Sequence, residues 1–109
     1  MTAAKPTILV IDDEVQILRL LRITLEAAGY GVLEADSGKF GLEEAARCQP
    51  DAIILDLGLP DLGGLEVLKQ LREWSKVPVL VLTVLAAERD KVAALDAMNR
   101  VSAIRRLAA

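Results

Sequence analysis

The chain consists of short apolar runs that alternate with longer segments in which apolar residues recur every three or four positions. The apolar runs predict four buried strands, over residues 7–11, 32–35, 52–57 and 77–83. Helical spacing covers residues 15–28, 39–47, 65–74 and 86–97, and it recurs over residues 100–109. Strands that alternate with helices predict an α/β fold, in which helices cover both faces of a parallel sheet.

The same pattern predicts which side chains face the core. The continuous apolar character of residues 77–83 favours burial of that strand on both faces. Trp74 is expected to pack over the core at the end of the third helix. The predicted inward-facing helix residues are Ile17, Leu18, Leu21 and Leu25, then Phe40, Leu42, Ala45 and Ala46, then Leu65, Leu68 and Leu71.

Length and composition limit the possible functions. The chain has 109 residues, of which 53% are apolar and 27% charged, and this suits one folded domain over residues 1–109. It contains no histidine and a single cysteine, Cys48. Catalysis by Ser-His-Asp or Cys-His groups, histidine metal ligands, an internal disulfide and a cysteine-based zinc site are therefore excluded within this chain. The net charge of −3 argues against direct binding of nucleic acid.

No segment predicts insertion into a membrane. The first apolar run is too short for a signal-peptide core, and the run over residues 77–87 is interrupted by Pro78 and Thr83. A helix that spans a bilayer needs about 20 apolar residues. We therefore expect a cytoplasmic protein that does not bind membranes.

Polar residues stand where the predicted strands end. Asp12 and Asp13 follow the first strand, Asp56 lies in the third and Thr83 closes the fourth. In an open parallel sheet, ligands bind beyond the carboxyl ends of the strands, so these side chains are expected to lie together. Clustered carboxylates are tolerated when a hard cation such as Mg²⁺ lies among them, and a carboxylate beside that cation can accept a phosphoryl group.

These acids also have an ordinary structural interpretation. The sequence Asp12-Asp13-Glu14 suits the start of a helix, where acids interact favourably with the helix dipole and Asp13 could be the N-cap. Asp56 fits this interpretation less well, because it is a charge within the apolar stretch AIILDL. An unpaired buried charge costs several kcal/mol, so Asp56 carries more weight as a functional residue.

Three segments together resemble the receiver domain of bacterial two-component response regulators. They are ILVIDDE, IILDLGLPDLGGLEVLKQLR and VPVLVLT, and the resemblance covers residues 7–97. The stretches LDLGLPD, REWSKVPVLVLT and DKVAALDA are most similar to regulators of the Kdp potassium-transport operon, within the OmpR/PhoB class. The resemblance implies a doubly wound parallel sheet of strand order 2-1-3-4-5. It also implies a domain that is phosphorylated by a sensor histidine kinase and is not itself an enzyme.

The resemblance implies roles for individual residues as well. Asp56 is expected to be the phosphoacceptor and Thr83 the switch hydroxyl. Mg²⁺ is expected to bind Asp13, Asp56 and the backbone carbonyl of Gly58, with Asp12 in support. Phosphorylation is expected to promote a homodimer, and DNA is expected to be contacted only through an output domain outside this chain.

The resemblance also implies roles for a proline and a glycine in the turn that follows Asp56. Pro60 is expected to shape the loop after the acceptor, and Gly64 to admit the start of the third helix.

The sequence departs from this family after Ala97. The family's fifth strand, its phosphate-binding lysine and its switch aromatic have no counterpart, and residues 98–109 resemble the end of the final helix. We therefore expect a segment to be missing between Ala97 and Met98, either unrepresented in the sequence or deleted, with a shortened receiver as the third explanation. Val84 stands where the family has a small residue, and it is expected to crowd access to Asp56.

Two other functions stay open. The absent lysine is compatible with a receiver-like interaction module that is not phosphorylated. The second alternative is a phosphatase or phosphotransferase of the haloacid dehalogenase type, which also uses an aspartate nucleophile. That class requires a second aspartate two residues after the nucleophile, where this chain has Gly58.

Overall fold

A computed structural model of the chain describes residues 5–82. Over this range strands and helices alternate, and the predicted elements are confirmed with bounds shifted by one or two residues. The strands are β1 (Thr7–Ile11), β2 (Gly31–Ala35), β3 (Ala52–Asp56) and β4 (Val79–Leu82), and the helices are α1 (Val15–Ala27), α2 (Gly38–Cys48) and α3 (Gly64–Arg72).

The strands of the described range form one parallel sheet in the order β2-β1-β3-β4. Ile11 of β1 lies opposite Ala35 of β2 and Leu55 of β3, and Asp56 of β3 lies opposite Leu82 of β4. This order agrees with the first four strands of the predicted doubly wound sheet. The predicted absence of a fifth strand and the helices predicted over residues 86–97 and 100–109 concern residues outside the described range.

Each face of the sheet has its own apolar core, because successive side chains of a strand point to opposite faces. Ile8, Val10 and Ile54 pack on one face with Leu21 and Leu25 of α1. The alternate residues of the same strands pack on the other face with α2 and α3. That second cluster comprises Leu9, Ile11, Ala35, Ala45, Ile53, Leu55, Leu59, Val67 and Leu71.

The central strand β3 is buried at every position, as expected for a strand covered on both faces. Its last residue, Asp56, is therefore a carboxylate placed at the edge of the core. This placement agrees with the expectation drawn from the apolar stretch AIILDL.

Three of the predicted core positions are wrong. Phe40 is 43% exposed and Leu65 is 69% exposed, and Ala46 is exposed as well. Helical spacing does not distinguish between two neighbouring apolar stripes, and in both helices the buried stripe includes glycines, which allow close approach to neighbouring elements. The buried residues are Gly38, Gly41 and Ala45 in α2, and Gly64, Val67 and Leu71 in α3.

Trp74 and β4 are also less buried than predicted. Trp74 lies beyond the end of α3, and it is 51% exposed instead of covering the core. Val79, Leu80 and Val81 are half-buried. Within residues 5–82, β4 pairs with β3 on one side, whereas β3 pairs on both sides.

Candidate functional site

The acidic site lies at the carboxyl ends of β1 and β3, which are neighbours in the sheet. Asp12 directly follows β1, and Asp56 is the last residue of β3. Because Ile11 and Leu55 lie opposite each other in the parallel register, Asp12 and Asp56 reach the same level of the sheet. One carboxylate oxygen from each of Asp12, Asp13 and Asp56 lies within 4.8 Å of the other two. The structure thus brings together the three acids that the sequence predicts.

These carboxylates differ in exposure. Asp12 is 1% exposed and Asp56 is 6% exposed, whereas Asp13 is open to solvent. Burial disfavours the charged form of a carboxylate, and neighbouring carboxylates repel each other. A hard divalent cation offsets both effects, and Mg²⁺ prefers carboxylate oxygens while it keeps several of its waters. The donor set fits Mg²⁺, because the exposed position of Asp13 gives such a cation access to water.

Backbone hydrogen bonds hold the two buried carboxylates. The N–H of Asp12 donates to the carbonyl oxygen of Ala35 over 3.0 Å, and Oδ1 of Asp12 accepts from the N–H of Glu14 over 2.9 Å. Oδ1 of Asp56 accepts from the N–H of Gly58 over 3.1 Å. Each carboxylate therefore bonds to the backbone two residues later, and this local contact restricts its orientation.

The interpretation of Asp13 as a helix N-cap is wrong. The N-cap of α1 is Glu14, and its side chain makes no capping hydrogen bond. The nearby N–H of Glu14 is bound by Asp12, because the chain turns sharply between the end of β1 and the start of α1. Asp13 therefore belongs to the carboxylate cluster and has no capping role in α1.

The loop after Asp56 is held tightly against β3. The N–H of Gly64 donates to the carbonyl oxygen of Leu57 over 3.1 Å, and Leu59 inserts into the core with 5% exposure. A Cβ on residue 64 would lie 2.5 Å from the carbonyl oxygen of Asp56 and from the Cα of Leu57. Only glycine lets α3 begin this close to β3, which confirms the expectation for Gly64.

Asp61 is a residue of this loop that the sequence did not single out as functional. Its Oδ2 accepts from the N–H of Lys39 over 2.9 Å, and its Oδ1 accepts from the N–H of Gly38 over 2.8 Å. These two hydrogen bonds, at the positive end of α2, hold the pKa of Asp61 below its ordinary value. The sequence signal for Asp61 is its position directly after Pro60. Its hydrogen-bond partners, however, are at the start of α2, which is distant in the sequence.

Several predictions for the site concern residues outside the described range. Thr83 follows Leu82, which is paired with Asp56 in the sheet register. Val84 and the junction between Ala97 and Met98 also lie beyond residue 82. The expected roles of these residues stay predictions.

The family model of the response regulator receiver domain matches residues 8–101. The chain belongs to the response regulator receiver family. The KDP operon transcriptional regulatory protein KdpE of Escherichia coli (strain K12) is 53% identical over 90 residues, covering 83% of this chain and 40% of that protein. KdpE of Mycobacterium tuberculosis (strain ATCC 25618 / H37Rv) is 54% identical over 90 residues, with the same coverage of 83% and 40%.

A regulator of another system is similar as well. The alkaline phosphatase synthesis transcriptional regulatory protein PhoP of Bacillus subtilis (strain 168) is 47% identical over 90 residues, covering 82% of this chain and 38% of that protein. These similarities confirm the predicted likeness to Kdp regulators within the OmpR/PhoB class. The receiver chain spans about 40% of the length of the curated relatives that it matches.

Solved structures show the same fold. The chemotaxis response regulator CheY4 of Vibrio cholerae has a TM-score of 0.72 and 30% identity, covering 86% of this chain and 81% of that one. The BeF3-activated receiver domain of RstA from Klebsiella pneumoniae has a TM-score of 0.70 and 25% identity, covering 84% and 78%. The doubly wound receiver fold is thereby confirmed.

Family membership defines the general role of the chain. It is the receiver domain of a KdpE-like two-component response regulator, which is a signalling domain and not a catalytic one. Receiver domains bind Mg²⁺ at an acidic pocket, and this chain has such a cluster of aspartates. In the part of the chain from residue 5 to residue 82, no helix is long and apolar enough to cross a membrane.

Proposed function

We propose that Asp56 accepts a phosphoryl group from the histidine of a sensor kinase, and that this phosphorylation controls dimerisation and transcriptional output. The observation that carries the proposal is the position of Asp56, buried at the end of β3 with its carboxylate within 4.8 Å of those of Asp12 and Asp13. Membership of the receiver family supports it.

The proposed reaction is a displacement at phosphorus. A carboxylate oxygen of Asp56 attacks the phosphorus of a phosphohistidine, and the new O–P bond forms as the N–P bond breaks. The leaving imidazole nitrogen takes up a proton from solvent. The hydrogen bond from the N–H of Gly58 to Oδ1 helps to orient the attacking carboxylate.

The other residues of the cluster prepare this reaction. Mg²⁺, when bound, supplies positive charge that stabilises the negative charge on the phosphoryl oxygens. We assign its binding to the carboxylates of Asp13 and Asp56 and to the backbone carbonyl of Gly58, with Asp12 supporting through water or a hydrogen bond. The exposure of Asp13 and the burial of Asp12 favour this division of roles.

Thr83 is proposed as the residue that responds to the phosphoryl group. It follows Leu82, which is the last residue of β4 and the register partner of Asp56. A hydrogen bond from the Thr83 hydroxyl to a phosphoryl oxygen would couple the modification to the chain beyond β4. We propose that this change favours a homodimer.

The relatives are transcriptional regulators, and this supports a proposal about the wider setting of the domain. We infer a single receiver domain over residues 1–109, located in the cytoplasm, with a sensor histidine kinase as its partner. DNA would be contacted by an output domain and not by the receiver.

Two matched variants, one at each end of β3, test the proposal. Asp51 directly precedes the strand and Asp56 ends it, and Asp51 also accepts a backbone N–H, from Thr7 over 2.7 Å. With Mg²⁺ and acetyl phosphate, wild type and Asp51→Asn should gain one acid-stable, base-labile phosphoryl group by intact mass. Asp56→Asn should gain none.

A full adduct on Asp56→Asn would overturn the assignment of the acceptor. If wild type gains no phosphoryl group from either acetyl phosphate or a cognate kinase, the chain is better described as an interaction module that is not phosphorylated.

A further inference from the structure

The connection between β2 and α2, residues 35–39, contacts both sides of the acidic site. On one side, the carbonyl oxygen of Ala35 accepts from the N–H of Asp12 over 3.0 Å. On the other side, the N–H groups of the first two α2 residues donate to the carboxylate of Asp61, over 2.8 and 2.9 Å. This short segment therefore holds both the end of β1 and the loop that follows β3.

Close packing and helix polarity both favour the contact at Asp61. A Cβ on Gly38 would lie 3.3 Å from Oδ1 of Asp61 and 2.7 Å from Cγ2 of Val67, so a glycine is needed for this approach. Each oxygen of the Asp61 carboxylate takes one N–H at the positive end of an 11-residue helix. Ser37 Oγ accepts the next N–H, that of Phe40, over 3.1 Å. Three leading N–H groups of α2 are thus satisfied, two of them by a loop from elsewhere in the chain.

We propose that Asp61 is a positioning residue of the phosphorylation site, which fixes the loop carrying Gly58 beside Asp56. The inference rests on the proposed function, in which the Gly58 carbonyl is a Mg²⁺ ligand. The N–H of Gly58 donates to Oδ1 of Asp56 over 3.1 Å, and the side chain of the next residue, Leu59, is buried. Pro60 fixes one backbone dihedral angle between Leu59 and Asp61, so the loop has fewer accessible conformations while Asp61 is held.

Loss of the Asp61 carboxylate should therefore loosen the loop without removing any ligand atom. A metal site whose supporting contacts are removed binds more weakly, by about 10-fold to 100-fold in typical cases. Because Leu59 still anchors the loop, we expect the lower end of that range. The chemistry at Asp56 should be retained once the metal is bound.

Asp51 provides the matched control for the test. Its carboxylate is also exposed and also accepts a backbone N–H, but at the opposite end of the sheet. Mg²⁺ affinity, thermal unfolding and the rate of phosphorylation by acetyl phosphate would be measured on the full chain. The proteins compared are wild type, Asp61→Ala, Asp61→Asn and Asp51→Ala.

The Mg²⁺ dissociation constant should rise about 10-fold in Asp61→Ala and less in Asp61→Asn, which keeps one acceptor oxygen. It should not change in Asp51→Ala. The half-saturating Mg²⁺ concentration for phosphorylation should rise in parallel, whereas the rate at saturating Mg²⁺ should stay within about twofold of wild type. The amide resonance of Gly58 should shift in Asp61→Ala and not in Asp51→Ala.

Equal Mg²⁺ dissociation constants in folded Asp61→Ala and Asp51→Ala would overturn the inference. If Asp61→Ala does not fold, Asp61→Asn tests the inference instead, and its Mg²⁺ dissociation constant must exceed that of wild type. Wild type that binds Mg²⁺ but takes up no phosphoryl group would contradict the proposed function, while the Mg²⁺ comparison still decides the role of Asp61. Wild type that binds no Mg²⁺ would overturn both.

Discussion

Aspartates accept backbone N–H groups at both ends of the parallel sheet, but in different surroundings. At the amino ends of the strands, Asp51 accepts from the N–H of Thr7 over 2.7 Å and returns its own N–H to the carbonyl oxygen of Thr7 over 2.8 Å. This exposed pair links β1 to the residue before β3. At the carboxyl ends, three carboxylates lie within 4.8 Å of one another, and two of them are buried.

The comparison shows that a hydrogen-bonded aspartate alone does not mark a functional site in this fold. The distinguishing property is the convergence and burial of like charges, which opposes stability unless a cation offsets it. Topology explains why this occurs at one end only. The loops after parallel strands lead to helix N-termini, whose N–H groups are available to bind carboxylates, as in the contact between Asp61 and α2.

The largest effect on stability is expected when two glycines at opposite ends of the sheet are each replaced by alanine and the two variants are compared. In Gly64→Ala the new Cβ would lie 2.5 Å from the Asp56 carbonyl oxygen, so we expect the free energy of unfolding to fall by about 1–3 kcal/mol. In Gly31→Ala the new Cβ would lie 3.5 Å from Thr7 Oγ1, an ordinary contact, and stability should change by less than about 1 kcal/mol. Denaturant unfolding measures both values, and equal losses would contradict the described packing at the carboxyl end.

A smaller effect should appear in the pH dependence of stability. The pKa of Asp61 in the folded chain lies below its ordinary value of 3.8, because Lys39 and Gly38 donate to its ionised form. The stabilisation is therefore present above the ordinary pKa and is lost as the pH falls through the lowered pKa. The difference in unfolding free energy between wild type and Asp61→Asn should be largest near about pH 7 and should shrink under acid conditions. Denaturant unfolding at a series of pH values measures it, and a difference independent of pH would contradict this account.

The strands and the three acids could be predicted because they depend on local patterns. A continuous apolar run such as that of β3 is compatible with few structures, and Asp56 is conspicuous as its only charge. Asp12 and Asp13 directly follow a strand, so the parallel register is enough to bring them near Asp56. These inferences need no knowledge of how the helices pack.

The errors depend on contacts between distant segments. Phe40 and Leu65 belong to apolar stripes that periodicity favours, but α2 and α3 approach the sheet through the small residues Gly41 and Gly64. Asp61 could not be recognised as a cap, because its partners at the start of α2 are 22 and 23 positions away in the sequence. Such contacts become visible only when the tertiary structure is known.

We propose that the carboxyl ends of the strands, and not the amino ends, form a metal site that serves phosphorylation. A Mg²⁺ titration of the ¹⁵N-labelled chain, followed by amide chemical shifts, tests it most directly. We expect saturable shifts at Asp13, Asp56 and Gly58 and no change at Thr7 or Asp51. Binding should weaken by more than about 10-fold in Asp13→Asn, because that variant loses a proposed ligand and not only a supporting contact. Equal shifts at both ends of the sheet, or unchanged binding in Asp13→Asn, would contradict it.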